Sequence, residues 1–321
     1  MSIYIILYSK QFFNPIFKFF TLEKDIMKNS QKPLFTGTCT ALVTPFKNGE
    51  IDYKSLENLI EFQISNGIDA LLINGTTGES ATLGECEKRE LISFAARVVN
   101  YRVPLIAGTG SNSTKKAIHL SQFACDVGAD AVLVVTPYYN KASNEGLIQH
   151  YEAIANEIDI PLILYNVPSR TGVNIPLAVY EKLAEHKNIT GVKEANPSIS
   201  DFAKVSQKCG STLDLYSGND DLIIPTLSLG GLGVISVISN VLPRETGEIC
   251  RLWFEGKTKE ATELQLKLLP LINALFSEVN PIPIKTLLSH LGFCEDEFRL
   301  PLCNMSKEKQ NSLISVYHTI K

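Results

Sequence analysis

Lys193 lies in residues 189–195 (ITGVKEA), an apolar and β-branched run that predicts a buried strand. An unpaired ammonium group in such a place costs several kcal/mol. Burial therefore favours the neutral amine, which can attack a carbonyl carbon. A single lysine of this kind more often extends its charged tip to solvent from a strand end. The choice between a nucleophile and a solvated lysine depends on the other polar groups of the chain.

Several polar groups with complementary chemistry follow other apolar runs. Residues 75–80 (GTTGES) place two hydroxyls between glycines, and the backbone N–H groups of such a turn can hold a carboxylate. Residues 136–140 (TPYYN) carry two phenols, residues 165–172 (YNVPSRTG) carry a phenol and a guanidinium group, and residues 217–220 (SGND) follow a further run. Each motif alone has an ordinary structural explanation: 75–80 is a tight turn with a helix cap, the two tyrosines are half-buried packing, and Arg170 is a surface charge. Taken together, they predict an amine nucleophile, a proton relay, a carboxylate cradle and an anion clamp. Glu194 is interpreted as a structural ion-pair partner of Lys193, outside the site.

These groups must be positioned by a repeating unit of strand and helix. The sequence contains eight short apolar runs, at residues 38–45, 70–75, 104–110, 131–137, 161–168, 189–195, 213–218 and 233–240. They are apolar throughout, as parallel strands covered on both faces are, and amphipathic stretches such as 52–66 and 113–126 separate them. The pattern predicts a (β/α)₈ TIM barrel, in which catalytic groups follow the carboxyl ends of the strands. No GxGxxG follows the first run, so a dinucleotide site is not supported.

The two ends of the chain differ from the barrel, which is expected at residues 34–256. Residues 244–255 predict its last helix, and 257–321 predict a small helical appendage built from residues 257–277, 284–291 and 307–320. This appendage is too small for an independent core, so it should pack on its own barrel or on a neighbouring subunit. Residues 1–33 are expected to be a disordered or wrongly assigned extension, with Met27 as the true start. The alternative is that the aromatic residues of this extension pack against another part of the protein or a partner.

Composition excludes several classes of protein. The 321 residues are 45% hydrophobic and 20% charged, with a net charge of −4 and no dense Lys/Arg cluster, so a nucleic-acid surface is not expected. The first apolar stretch is too short for a membrane span and lacks the layout of a signal peptide. The seven cysteines are scattered, without a CxxC pair or a histidine at metal-ligand spacing. They predict reduced thiols in the cytoplasm and no metal site.

From about Leu34 to the C-terminus, the chain resembles the dihydrodipicolinate synthase family. This family belongs to the class I, pyruvate-dependent aldolases, which also include N-acetylneuraminate lyase. The resemblance to the wider group rests on GTTGE at 75–79, on Tyr165 and on Lys193. The resemblance to the synthases rests on the longer strings around Tyr139, Arg170 and Lys193, because the neuraminate lyases lack the Ser-Arg pair after the tyrosine.

The resemblance implies a Schiff base between Lys193 and the ketone of pyruvate. The derived enamine would attack L-aspartate 4-semialdehyde, and ring closure onto the imine carbon would release the lysine. Tyr165 would be the acid/base, and Thr76 would link it to Tyr139 in a hydroxyl relay. Tyr139 would reach into a neighbouring subunit, which implies a dimer or a dimer of dimers. No metal or organic cofactor is implied, because the lysine itself is the electron sink.

The resemblance also implies the binding residues. Thr77 would hold the pyruvate carboxylate, Gly218 and Ile235 would form the floor of that pocket, and Arg170 would bind the carboxylate of the semialdehyde, a bidentate task that suits arginine. Two alternatives stay open: another pyruvate aldolase that acts on a sugar acid such as N-acetylneuraminate, and a barrel that binds pyruvate without catalysis. Arg170 argues against the first alternative, and the full set of reactive residues argues against the second.

The resemblance also predicts how the enzyme responds to L-lysine, which inhibits some members at a cleft between subunits. The lysine-sensitive pattern is matched at Ser80, Ala81, Asn112 and Tyr138. Glu85 and Lys88, however, replace two histidines, and Lys116 replaces a glutamate that would pair with the effector's ammonium group. Because Lys116 sets like charge against that group, we expect weak or absent inhibition of the purified enzyme by L-lysine. Half-inhibition at submillimolar L-lysine would contradict this expectation.

Overall fold

The structure, a computed structural model, describes residues 32–321. Leu34–Lys321 forms one compact unit. The extension is expected at residues 1–33, and residues 1–31 of it, including Met27, lie outside the described residues.

A closed barrel of eight parallel strands confirms the predicted (β/α)₈ fold. Its strands are β1 Gly37–Ala41, β4 Ala70–Ile73, β5 Leu105–Gly108, β6 Ala131–Val135, β7 Leu162–Asn166, β8 Ile189–Glu194, β9 Asp214–Ser217 and β10 Gly233–Ser236. The barrel closes where β1 pairs with β10 on one side and with β4 on the other. Each predicted run overlaps one strand and is longer than that strand, and β1 begins one residue before its run. The hairpin of β2 Phe46–Lys47 and β3 Glu50–Ile51 was not predicted.

Helices on the outside of the barrel follow its strands. Within residues 32–321 they are α1 Tyr53–Ser65, α2 Glu85–Val99, α3 Thr114–Asp126, α4 Asn144–Ala155, α5 Pro168–Thr171, α6 Leu177–Leu183, α7 Ile199–Cys209, α8 Ile223–Ser228 and α9 Pro243–Phe254. The side chain of Asp52 caps α1 by accepting from the backbone N–H groups of Lys54 and Ser55 at 3.1 and 3.0 Å. The helices predicted at 52–66, 113–126 and 244–255 are thereby confirmed.

Three further helices complete the chain: α10 Thr258–Ala274, α11 Ile282–His290 and α12 Lys307–Ile320. Their buried residues Leu271, Leu287 and Leu313 belong to the same apolar cluster as Val43 and Val234 of the barrel. The C-terminal helices therefore pack on their own barrel. In the described part of the chain, no helix is long and apolar enough to cross a membrane.

The alternation of side chains along β8 decides which groups face the barrel interior. Val192 packs in the apolar layer between strands and helices. Tyr165 and Ile235 belong to the separate cluster that fills the barrel interior. Because successive side chains of a strand point to opposite faces, Lys193 points into the interior and Glu194 points outward.

A buried histidine makes the stability of this fold depend on pH. His150 in α4 is only 6% exposed. Its Nδ1 lies 2.9 Å from Thr114 Oγ1, and its Nε2 has no partner within residues 32–321. Burial lowers the pKa of His150 to about 4.

We expect acid to destabilise the fold through this residue. Between pH 6.5 and about 4 the unfolded chain binds a proton that folded His150 does not, so stability is lost as the pH falls through this window. Replacement His150→Gln should remove about 3 kcal/mol of the loss in unfolding free energy between neutral pH and the low end of the window. Urea unfolding at a series of pH values measures this, and an unchanged pH dependence in the variant would contradict the assignment.

Candidate active site

Lys193 provides an amine in the barrel interior. It lies on β8, paired in register with Tyr165 of β7 and Tyr216 of β9, and it is 6% exposed. Its Nζ lies 4.5 Å from the centroid of the Tyr165 ring. No ion pair or hydrogen bond holds this amine among the contacts of residues 32–321. The structure therefore places a phenol beside an amine that is not engaged in a salt bridge.

Glu194 differs from its prediction. Its carboxylate accepts from Tyr180 Oη at 2.8 Å, from the Asn196 backbone N–H at 2.8 Å and from Asn166 Nδ2 at 2.8 Å. Burial raises the pKa of Glu194, and these hydrogen bonds oppose that rise. The proposed ion pair with Lys193 is therefore wrong, because the two side chains leave the strand on opposite faces. Glu194 instead ties the end of β8 to the end of β7 and to α6.

A second buried carboxylate lies close enough to Lys193 for their charges to interact. Asp220 Oδ2 accepts the backbone N–H groups of Val237 and Ile238 at 3.0 and 2.9 Å. Burial raises the pKa of Asp220, whereas the hydrogen bonds and the positive charge of Lys193 act in the opposite direction. Asp220 thus joins the end of β9 to the end of β10, within reach of the charge of Lys193.

The turn of residues 75–79 follows β4 and carries two predicted site residues. Thr77 is 3% exposed, and its Oγ1 accepts from Asn280 Nδ2 at 3.1 Å. Thr76 is half-buried. Thr44 Oγ1 donates to the carbonyl oxygen of Gly78 at 2.7 Å, and a Cβ at Gly78 would lie 3.1 Å from that hydroxyl oxygen. The turn is therefore held closely against the loop after β1.

Arg170 lies on the short helix α5 and is exposed. Its NH2 group donates to the carbonyl oxygen of Asn280 at 2.9 Å. Asn280, which precedes α11, therefore contacts both Thr77 and Arg170, and its buried Oδ1 has no partner in the described part of the chain. Sequence reasoning missed this residue, since no feature of residues 280–283 (NPIP) places it at the barrel mouth.

Gly218 and Ile235 occupy the ends of β9 and β10. The backbone N–H of Gly218 donates to the carbonyl oxygen of Glu194 at 2.7 Å. A Cβ at this glycine would lie 2.7 Å from the Cβ of Ala195, so no side chain fits. Ile235 is fully buried in the cluster of the barrel interior.

Tyr139 is not brought to the other residues within one chain. It is 93% exposed, and its φ of 71° is left-handed, which costs energy for a bulky side chain. The contacts of residues 32–321 include no hydrogen bond among the hydroxyls of Thr76, Tyr139 and Tyr165. The proposed relay is thus incomplete in a single chain.

The comparisons with known proteins agree with this geometry. A model of the dihydrodipicolinate synthetase family matches residues 34–319. The chain belongs to the dihydrodipicolinate synthetase family. The resemblance stated from the sequence is thereby confirmed.

Individual relatives cover nearly the whole described chain. The 4-hydroxy-tetrahydrodipicolinate synthase of Clostridium perfringens (strain 13 / Type A) is 51% identical over 281 residues, which are 88% of this chain and 96% of that protein. The crystal structure of dihydrodipicolinate synthase from Aquifex aeolicus is 46% identical, with a TM-score of 0.87, and covers 89% of this chain and 98% of that chain. The chloride-inhibited enzyme from Acinetobacter baumannii, complexed with pyruvate, is 41% identical, with a TM-score of 0.87 and coverage of 89% and 98%.

Two of the three residues that differ from the lysine-sensitive pattern, Lys116 and Glu85, form an ion pair with each other. Lys116 Nζ lies 3.1 Å from Glu85 Oε1. The hydrogen bond and the charge of Lys116 lower the pKa of Glu85. Burial lowers the pKa of the neighbouring Lys88, and Glu85 opposes this effect. This Lys116–Glu85 pair joins α2 to α3 on the surface, and the expectation for L-lysine stays a prediction.

The tight packing at Gly218 predicts the effect of adding one methyl group. Gly218→Ala would place its Cβ 2.7 Å from Ala195 Cβ and 3.1 Å from the carbonyl oxygen of Glu194, so the ends of β8 and β9 must separate. We expect a loss of about 1–3 kcal/mol in unfolding free energy, measured by urea denaturation.

The control is Gly247→Ala in α9, where a Cβ would meet nothing within 4 Å. That substitution should stabilise the helix by about 0.5–1 kcal/mol. Equal stability of the two variants would contradict the packing described for Gly218.

Proposed function

We propose that this chain condenses pyruvate with L-aspartate 4-semialdehyde through a Schiff base on Lys193. The product would be (4S)-4-hydroxy-2,3,4,5-tetrahydrodipicolinate, made in the biosynthesis of diaminopimelate and lysine. The observation that carries the proposal is the buried amine of Lys193, 4.5 Å from the Tyr165 ring, in a chain of this family. The Clostridium perfringens relative is a 4-hydroxy-tetrahydrodipicolinate synthase, which supports the choice of substrates.

The chemistry begins with attack of the neutral Lys193 amine on the ketone carbon of pyruvate. Loss of water gives an imine, and its protonated form makes the adjacent methyl group acidic. The enamine formed by loss of that proton attacks the aldehyde carbon of the semialdehyde and creates the new carbon–carbon bond. The amino group of the semialdehyde then adds to the imine carbon and expels Lys193, which restores the enzyme. Tyr165 is the proposed group that moves protons at the imine and at the new alkoxide.

Binding of the two carboxylates is assigned to different loops. The pyruvate carboxylate would be held by the hydroxyl of Thr77 and by backbone N–H groups of the turn 75–79. Gly218 leaves space at the floor of that pocket, and Ile235 closes the floor with apolar surface. Arg170 stands exposed at the mouth, where its guanidinium group would bind the carboxylate of the incoming semialdehyde.

We also propose that the enzyme works as a dimer or as a dimer of dimers. Tyr139 exposes 93% of its surface from a left-handed backbone, and Tyr138 beside it is 40% exposed. Aromatic groups are enriched in the cores of protein interfaces, where burial compensates for their exposure. Tyr139 would enter the site of a neighbouring subunit and complete the hydroxyl relay with Thr76. A cytoplasmic location is proposed from the seven free cysteines.

The test is an assay of the purified chain with pyruvate and the semialdehyde, in which Lys193→Ala removes the nucleophile. We expect turnover of the variant to fall by several orders of magnitude, because the other buried lysine of residues 32–321, Lys285, is held in an ion pair with Glu79. The control is Lys204→Ala, which removes an exposed lysine in α7 that pairs with Asp201 and should leave turnover unchanged. Activity of the Lys193 variant within about tenfold of the parent would refute the Schiff-base assignment.

The same assay separates the alternative substrates. The parent enzyme should consume the semialdehyde in a pyruvate-dependent manner and should not condense pyruvate with N-acetylmannosamine. The opposite preference would assign the chain to the sugar-acid aldolases and overturn the proposed acceptor.

A further inference from the structure

The ion pair between Lys285 and Glu79 is buried far more deeply than the others. Lys285 Nζ lies 2.7 Å from Glu79 Oε1, and neither side chain has any exposed surface. In every other ion pair of residues 32–321, both partners are partly exposed, including Arg299–Glu87 at 20% and 28%. The Lys285–Glu79 pair joins groups 206 residues apart in the chain.

Glu79 ends the turn that carries Thr76 and Thr77. Its backbone N–H donates to the carbonyl oxygen of Thr76 at 3.1 Å, and its φ of 54° is left-handed. This conformation is uncommon for a residue with a side chain, so other contacts must hold it. The carboxylate supplies them, because its second oxygen accepts the backbone N–H of Arg299 at 3.2 Å.

Lys285 is held on α11 by apolar and aromatic surroundings. Its Nζ lies 4.1 Å from the centroid of the Phe46 ring and 5.1 Å from that of Phe298. Burial lowers the pKa of Lys285, and the charge of Glu79 opposes this effect. The lysine thus fixes the carboxylate at one point between the hairpin β2–β3 and α11.

The stability of the fold alone does not explain why a buried ion pair stands at this position. Taking two charges out of water costs several kcal/mol, and apolar residues of similar volume often serve a fold equally well. The pair lies, however, at the turn that the proposed mechanism assigns to pyruvate. The same C-terminal segment also reaches Thr77 through Asn280 Nδ2, at 3.1 Å.

We infer that Glu79 and Lys285 are positioning residues for the keto-acid substrate. They hold the turn 75–79 in the one conformation that presents its backbone N–H groups and the Thr77 hydroxyl to the substrate carboxylate. The C-terminal helices thereby set the affinity for the keto acid, although they contribute no reacting group. This inference rests on the proposed function for the role of the turn.

The test is the double variant Glu79→Gln, Lys285→Met, which removes both charges and nearly preserves both shapes. The quantity measured is the pyruvate concentration that half-saturates the adduct on Lys193 trapped by borohydride. We expect that concentration to rise by about tenfold or more, while the melting temperature changes little. The KM for the semialdehyde should stay near that of the parent, because Arg170 is not touched.

Two further variants keep the test decisive. The control, Lys309→Met with Glu278→Gln, removes an ion pair of the C-terminal segment whose two side chains are partly exposed and should leave pyruvate saturation unchanged. If the double variant does not fold, Glu79→Asp replaces it, since aspartate keeps the negative charge opposite Lys285 but is one methylene shorter and cannot keep both contacts, to Lys285 and to the Arg299 backbone, at their present distances. Its expected effect is a smaller rise in the half-saturating pyruvate concentration.

A folded variant with the pyruvate saturation of the parent would overturn the inference and leave the ion pair with a structural role only. Failure of the proposed function would look different. The parent would then form the pyruvate adduct without converting the semialdehyde, or would form no adduct at all.

Discussion

An unpaired amine inside a protein is tolerated only where the surrounding structure fixes it and supplies compensating potential. Lys193 meets this condition in the barrel. The parallel register of β7, β8 and β9 sets it between two tyrosines, and the alternation along β8 sends the neighbouring Glu194 to the opposite face. The barrel thus keeps the adjacent carboxylate away from the amine. Asp220, held by two backbone N–H groups after β10, lies within reach of the charge of Lys193 and forms no direct ion pair with it in residues 32–321.

The two buried lysines of residues 32–321 have opposite environments. Lys285 is paired with Glu79, fully enclosed and surrounded by aromatic rings, so it is fixed as a structural cation. Lys193 faces a phenol and has no partner of opposite charge within hydrogen-bonding distance in residues 32–321. A lysine that must attack a carbonyl has to lose its proton and move, which a tight ion pair would prevent. The difference between the two sites follows from where each strand or helix places the nearest carboxylate.

Much of this arrangement was predictable from the sequence, because the barrel is built from local patterns. The apolar runs predict the strands, and the charged residue inside one of these runs predicts Lys193 as the nucleophile. The same reasoning applied to residues 282–288 (IPIKTLL) would have identified Lys285, but its partner is 206 residues away and no local pattern indicates it. The hairpin β2–β3 was not predicted because strands of two residues are too short to show a periodic pattern.

Other features depend on contacts that no periodicity encodes. The ion pair predicted between Glu194 and Lys193 is wrong because consecutive residues of a strand are neighbours in sequence but face opposite sides of the sheet. Asn280 acts at the barrel mouth only because the C-terminal segment folds back over it. Tyr139 makes no hydrogen bond with Thr76 or Tyr165 within residues 32–321, so its proposed role requires a second chain and is not defined by a single subunit.

The measurement that most directly tests this account is mass spectrometry of the intact protein, and then of its peptides, after borohydride reduction with pyruvate. We expect one reduced pyruvate adduct on the peptide that contains Lys193, and its loss when L-aspartate 4-semialdehyde is added before the reductant. An adduct on another lysine, or none, would contradict the assignment of Lys193 as the nucleophile. An adduct that the semialdehyde leaves unchanged would contradict the proposed acceptor.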